Sequence, residues 1–244
     1  MKKFLALTKR NLLEVVRDPL SIIFLVAFPV VMLVFMQLIA KSFEVSPVNF
    51  QIKSYAIGIC VFGYTFSGMF TAMGVASDKN TAFINRIKIS PVKKSTYLLS
   101  YLLSGLPLTF LQTVLFLAIS FIFGLPFDFN ALLILVYLLP SQLFYLTVGI
   151  SLGTLCKNEK QSGPMSSIII SLSCMLGGVF MPVTTFTGAF KTVIDILPFA
   201  HTVQIASEIY NVGAGCILSH LPFVLGYTLA LWLVIVLVNL SKRK

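Results

Sequence analysis

The sequence predicts an all-α integral membrane protein: six transmembrane helices, an N-terminal amphipathic interfacial helix and an outer re-entrant helical hairpin between spans 5 and 6. Three observations predict it. The 244 residues are 57% hydrophobic and 11% charged, with a mean hydropathy of +0.96, which is more apolar surface than one soluble core can bury. Six stretches, 19–40, 54–77, 95–127, 129–156, 161–190 and 209–241, contain no Asp, Glu, Lys or Arg, and each can supply the about 20 residues that cross a bilayer. Basic residues gather in alternate connectors.

The N-terminal segment, residues 1–18, reads as a helix lying in the membrane plane. Lys3, Arg10, Glu14 and Arg17 share one face, and Leu5, Leu12 and Val16 share another. Asp18 followed by Pro19 is a cap and first-turn pair, so the first span starts there. The spans are expected at about 19–40, 54–77, 95–123, 130–155, 162–182 and 217–240, forming one transmembrane domain over 19–241. Pro29, Pro107, Pro140 and Pro222 inside apolar runs predict kinks or broken helices.

Small residues recur at helical spacing in the second span (Gly68, Ala72, Ala76), the fourth (Gly149, Gly153) and the fifth (Ser173, Gly177). Such strips let helix backbones approach closely, either inside one subunit or along a dimer seam or translocation path. Gly63, Tyr64, Thr65, Ser67, Gly68, Ala72, Ser173 and Gly177 are the candidate path or seam residues. Residues 183–215 are too polar to span, because Asp195, Pro198, His201, Gln204 and Glu208 would all need partners in hydrocarbon. They are expected as the outer hairpin, ended by Gly213 and Gly215.

The connector 78–94, DKNTAFINRIKISPVKK, holds five of the eighteen basic residues. Phe83, Ile84 and Ile87 share one helical face, Asp78 or Ser77 can cap its start, and Pro91 disfavours helix at Ser90. A short amphipathic helix tied to two spans follows.

An even number of crossings puts both termini on one side. Placing Lys2, Lys3, Lys9, Arg10, Arg17, the connector, Lys157, Lys160 and Lys242–Arg243–Lys244 in the cytoplasm leaves only Lys41, Lys53 and Lys191 outside. The expected location is the cell membrane with both ends cytoplasmic. No cleavable signal peptide is expected, since Lys9 and Arg10 interrupt the apolar start. The net charge of +10 flanks spans and forms no separate domain, which suits anionic lipid headgroups and not nucleic acid.

Catalytic chemistry is not legible. All eight acidic residues lie outside the expected span cores, His201 and His220 have no metal-ligand spacing, and neither His-Glu-x-x-His nor Gly-x-Ser-x-Gly occurs. Cys60, Cys156, Cys174 and Cys216 form no framework. No Gly-Lys dipeptide exists, hence no phosphate-binding P-loop. The chain is expected to bind no cofactor or metal and to take any energy for transport from another polypeptide.

In that order of features the chain resembles the membrane subunits of type-2 ABC exporters, the family of drug, antibiotic and polysaccharide permeases. RNLLEVVRDPLSIIFLVAFPVVM resembles the family's interfacial helix and first span, DKNTAFINRIKISPVKKSTYLLSYLL its first cytoplasmic loop, and LGGVFMPVTTFTGAFKTVIDILPFAHTVQIA its signature around the fifth span. Where many relatives carry Glu-x-Gly-Thr, this chain has Asp78-Lys79-Asn80-Thr81. The resemblance implies a pair of permease chains, identical or different, above a cytosolic P-loop ATPase dimer that holds ATP and Mg. It implies that Phe83, Ile84 and Ile87 are ATPase-coupling contacts, with Arg86 and Lys88 at the groove rim, and that the cargo is an amphipathic drug-, peptide- or lipid-like molecule. The alternatives are a connector held only to anionic lipid, a non-transport ABC-type partner in sensing or immunity, and a membrane-embedded enzyme.

Overall fold

A computed structural model describes residues 2–42, 51–89, 94–179, 183, 186–210, 213 and 215–241. All regular structure among them is helical: α1 (Lys2–Arg17), α2 (Pro19–Ile22), a π-helical turn (Ile23–Ala27), α3 (Phe28–Lys41), α4 (Ile52–Asp78), α5 (Ala82–Ile89), α6 (Lys94–Ile122), α7 (Phe129–Tyr137), α8 (Leu139–Leu155), α9 (Glu159–Leu176), α10 (Gly188–Ile196), α11 (Pro198–Ser207), a 3-10 turn (Glu208–Tyr210) and α12 (Cys216–Ser241).

Among the described residues five helical stretches are long and apolar enough to cross a membrane: Pro19–Lys41, Tyr55–Asp78, Lys94–Ile122, Phe129–Leu155 and Cys216–Val238. The expected fifth span corresponds to α9, whose start, Glu159-Lys160-Gln161, is polar. Residues 180–182 of that span lie outside the described residues, as do Ser90–Val92 with the Pro91 break, Lys93 and the basic tail 242–244.

Local chemistry explains the interruptions. Asp18 caps α2, accepting from the amides of Leu20 and Ser21. The amide of Phe28 then bonds Ile23 O, five residues back, as the chain enters Pro29, which has no N–H of its own to give. The fourth span breaks between α7 and α8 at Leu138, two residues before Pro140. Pro107 and Pro222 sit inside the continuous helices α6 and α12.

α4 is the axis of the fold: most of its membrane-length window is buried, whereas the first and last spans are largely open to the surroundings. α4 packs along α8, α9, α6 and α3, and α12 packs along α8 and α11. The main apolar cluster runs through Tyr55, Ile59, Phe62, Phe66, Phe116, Ile134 and Tyr145. A second, smaller cluster gathers Val75, Ile87, Tyr97, Leu98, Tyr101, Ile150 and Ile235, with Trp232 against it. It lies where α4 ends, and so directly beneath α5.

The small-residue strip of α4 is taken up within the chain. A Cβ on Gly149 would collide with the Gly68 carbonyl, one on Gly68 would come within 2.6 Å of Tyr145 O, and one on Gly153 within 2.8 Å of Ala72 O. Backbone faces backbone along α4 and α8. Tyr64, Thr65, Ser67 and Ala72 are buried beside this contact, and Gly63 makes room for the Gln112 side chain. On α9, Ser173 is buried, and its carbonyl accepts the amide of Gly177, which closes the helix.

Nearly every residue of α11 is buried, from Pro198 to Ala206, whereas on α10 only Ile194 is. Ser141 on α8 donates to Thr202 O at 2.7 Å, and Tyr145 OH lies 3.2 Å from Thr202 Oγ1. The segment between α9 and α12 therefore sends one helix, α11, in among the spans and leaves the other, α10, at the edge.

Candidate coupling interface

The C-terminal end of α4 is built around a single carboxylate. Asp78, 2% exposed, is the last residue of α4. Its Oδ2 accepts from Arg10 Nη1 at 2.6 Å, and its Oδ1 from Arg10 Nη2 at 2.7 Å, a two-pronged guanidinium–carboxylate pair. Tyr97 and Tyr101, one turn apart on α6, each donate a hydroxyl to Oδ2, at 3.0 and 2.7 Å. Four charge-assisted or hydroxyl bonds thus satisfy a charge that burial alone would expel.

Arg10 is equally committed. Its guanidinium carbon sits 4.1 Å from the centroid of the Phe83 ring on α5, in cation–π range. It also pairs with Glu14 at 3.1 Å, one turn along α1. The hydrogen bond to Asp78 holds the Arg10 pKa above its ordinary value, against the opposing effect of burial. Burial raises the Glu14 carboxyl above its ordinary value, partly offset by Arg10. Beside this pair Asn11, buried, donates to Ser100 Oγ at 3.0 Å. The polar face of α1 is therefore divided: Lys3 and Arg17 are exposed, while Arg10 turns inward.

The turn from α4 to α5 is made without glycine. The amides of Asn80 and Thr81 bond Ser77 O and Asp78 O, both at 3.1 Å, and no non-glycine residue among those described has positive φ. An all-right-handed turn makes no demand for glycine at position 80. Instead Asn80 Nδ2 donates to Lys157 O at 3.2 Å, and Lys79 Nζ caps the end of α8, reaching Thr154 O at 2.7 Å and Cys156 O at 2.5 Å. Asp78 does not cap α5 through its side chain; Thr81 Oγ1 bonds the Asp78 carbonyl at 2.7 Å, while the carboxylate belongs to Arg10 and the tyrosines.

α5 follows as one block. Ile87 is buried in the second cluster, 8% exposed, and Phe83 and Ile84 are half-buried against it. Its amphipathic face is thus covered by the chain's own spans. Ile89, at its end, is 88% exposed. The side chains of Arg86 and Lys88 lie outside the described residues.

Above this junction a cleft of about 420 Å³ opens between α1, α4 and α6. Glu14, Asp18 and Glu159 stand at one end, and Ser67, Leu25, Leu108 and Leu146 line its inner part. Further along α4 the spans share a buried polar seam. Tyr64 OH lies 2.5 Å from Thr113 Oγ1, and Gln142 joins Thr113 at 3.0 Å and Thr109 at 3.1 Å. Among the described residues no group of three or more His, Cys, Asp and Glu could hold a metal.

A profile of ABC-2 type transporters matches residues 2–211, from the start of α1 through the inserted helix α11. This chain belongs to the ABC-2 type transporter family. No curated protein in the comparison matches it. As an ABC-2 permease it is a multi-pass membrane subunit for transport, without a catalytic domain of its own. The family match covers α1, the Asp78 junction, α5 and the cleft. Sequence reasoning placed α5 and its apolar trio but not the pair that fixes them. Asp78 closing a 24-residue uncharged run, with Tyr97 and Tyr101 at i, i+4 on the next helix, was the available signal.

Proposed function

We propose that this permease crosses the membrane six times, with α9 as the fifth span and both termini in the cytoplasm. It pairs with a second permease chain, identical or different, and exports an amphipathic cargo using ATP and Mg held by a separate P-loop ATPase dimer. The observation that carries the coupling role is the Asp78 junction. One carboxylate ties α1, α4 and α6, and Arg10 extends the tie to α5 through Phe83. A force applied to α5 therefore reaches two spans and the interfacial helix as a unit, as transmission of an ATP-driven change requires. The cleft, carboxylates at one end and apolar residues within, suits an amphipathic cargo.

The packing of α5 divides the residues that the family resemblance assigns to ATPase coupling. Ile87 anchors the helix to the spans, Phe83 and Ile84 stand at the edge, and Ile89 is the apolar side chain left for a partner. Ile89→Asp is expected to cut capture of the ATPase encoded beside the permease by roughly tenfold or more, the loss that follows when about 1.5–3 kcal/mol of apolar burial is forfeited. Thermal stability of the purified permease should not change. Ile87→Asp should instead lower that stability, because it buries a charge with no partner. Undiminished capture by Ile89→Asp would show that the ATPase grips another surface. For topology, membrane-impermeant thiol labelling from outside should reach a cysteine placed at Lys191 and not one placed at Lys94.

A further inference from the structure

At the end of the fold opposite α5, two histidines meet. His201 on α11 and His220 on α12 approach Nδ1 to Nδ1 at 2.9 Å. His201 Nε2 lies 2.8 Å from the Asp195 carbonyl oxygen, and His220 Nε2 lies 3.3 Å from Glu208 Oε2. The His201 ring also stacks on Phe223, with centroids 4.2 Å apart. The chain Asp195–His201–His220–Glu208 joins α10, α11, the 3-10 turn and α12.

Donor accounting places the protons. A carbonyl oxygen only accepts, so His201 Nε2 carries hydrogen. A neutral imidazole has one N–H, which leaves His201 Nδ1 bare to accept from His220 Nδ1–H. The other nitrogen of His220 faces a carboxylate oxygen of Glu208. A proton added to His201 can go only to Nδ1, where two N–H groups would confront each other across 2.9 Å.

We propose that His201, His220 and Glu208 form a proton-binding clasp, which holds α11 against the start of α12 while His201 is neutral and releases it when His201 takes a proton. Burial lowers the His201 pKa from the ordinary 6.5 and the His220 charge acts the same way, against the Asp195 carbonyl bond and the Asp195 and Glu208 charges. The sign follows: a folded state that resists protonating His201 keeps the clasp's contribution above about pH 6.5 and loses it as pH falls toward the lower value of the folded chain.

The neighbouring elements supply few other titratable groups. α12 adds Cys216, whose Sγ lies 3.5 Å from Ile205 O, and α8 adds Tyr145 through Thr202. Lys53 of α4 sits over the Tyr210 ring at 5.3 Å, and Asp128, the cap of α7, acts on Tyr210. On α9 the only charged residues are Glu159 and Lys160, at its far end.

The clasp gains its functional meaning from the permease reading, since α11 is wedged among spans that must rearrange, but its test needs no ATPase. Amide hydrogen exchange of 198–207 is measured on the full chain in nanodiscs, corrected for intrinsic rates, at about pH 7.5 and about pH 5.5, on either side of the ordinary histidine range. Protection is expected to fall at the lower pH, because the folded chain resists protonating His201. His201→Phe keeps a ring against Phe223 but cannot take the proton, so its protection should lose most of the response to pH. Glu208→Gln keeps His201 and removes the charge that favours cations at the pair, so its transition should move to lower pH. Wild-type protection equal at both pH values, or a wild-type response retained by His201→Phe, would overturn the clasp. Neither result bears on ATPase capture, and loss or survival of capture in Ile89→Asp does not bear on the clasp.

Discussion

Replacing Asp78 by asparagine is expected to destabilise the permease by about 3 kcal/mol, since removing one partner of a buried ion pair costs on the order of 3–5 kcal/mol. The lower end applies because a third of the Arg10 side chain remains exposed. The amide keeps the shape of the carboxylate but cannot accept both prongs of the guanidinium together with two tyrosine hydroxyls. Arg10 is left near Phe83 with no counter-charge except Glu14. The readout is built in: Trp232 is the single tryptophan and packs against the cluster beneath α5. Its fluorescence should report a lower unfolding midpoint. Arg10→Leu alone should cost a similar amount by stranding Asp78, yet Arg10→Leu with Asp78→Leu should recover much of the loss, as apolar replacement of both partners often does. Additive losses in the double variant would mean that the two residues act separately.

The same junction shows what a sequence can and cannot announce. The ends of α1 follow from local chemistry, a capped Asp18-Pro19 step after an amphipathic run, and α1 does span Lys2–Arg17. Arg10 and Asp78 are 68 positions apart, and nothing local distinguishes an arginine that faces water from one that crosses to another helix. Asp78 could be read as a helix cap because its neighbours Lys79, Asn80 and Thr81 look like a turn; its true partners arrive from α1 and α6. The apolar face of α5 presents a related ambiguity. Periodicity says that something covers Phe83, Ile84 and Ile87, and only packing says that the chain's own Val75, Tyr97 and Ile235 are close by.

Hydropathy likewise identified the apolar windows but not their depth in the fold. α4 and the last span have similar lengths, yet one is the buried axis and the other faces outward. What separates them is composition: α4 carries Gly58, Gly63, Gly68, Ala72, Gly74 and Ala76, and α12 is filled with leucine and valine. Small residues allow approach from several sides, whereas bulky ones suit a helix that meets lipid. The histidine clasp lay beyond any spacing rule, because His201 and His220 meet across a chain reversal and neither alone signals a partner.

Gly149→Ala is expected to be the most damaging single methyl in the molecule. The new Cβ would collide with the backbone carbonyl of Gly68, and a carbonyl in the middle of α4 cannot step aside as a flexible side chain would. α4 and α8 must separate, and with them the contacts of Gly68 with Tyr145 O and of Gly153 with Ala72 O. Overpacking a close-packed contact costs about 1–3 kcal/mol, and the upper end applies here because two helices move together. Gly226→Ala on α12 is the control. It meets nothing within 4 Å, so it should be neutral or stabilise by up to about 1 kcal/mol through helix propensity. The comparison also separates the two uses of a small-residue strip. If the strip is an internal seam, Gly149→Ala lowers the unfolding midpoint of the isolated chain. A variant that unfolds like wild type but no longer pairs with a second permease would place the strip between chains instead.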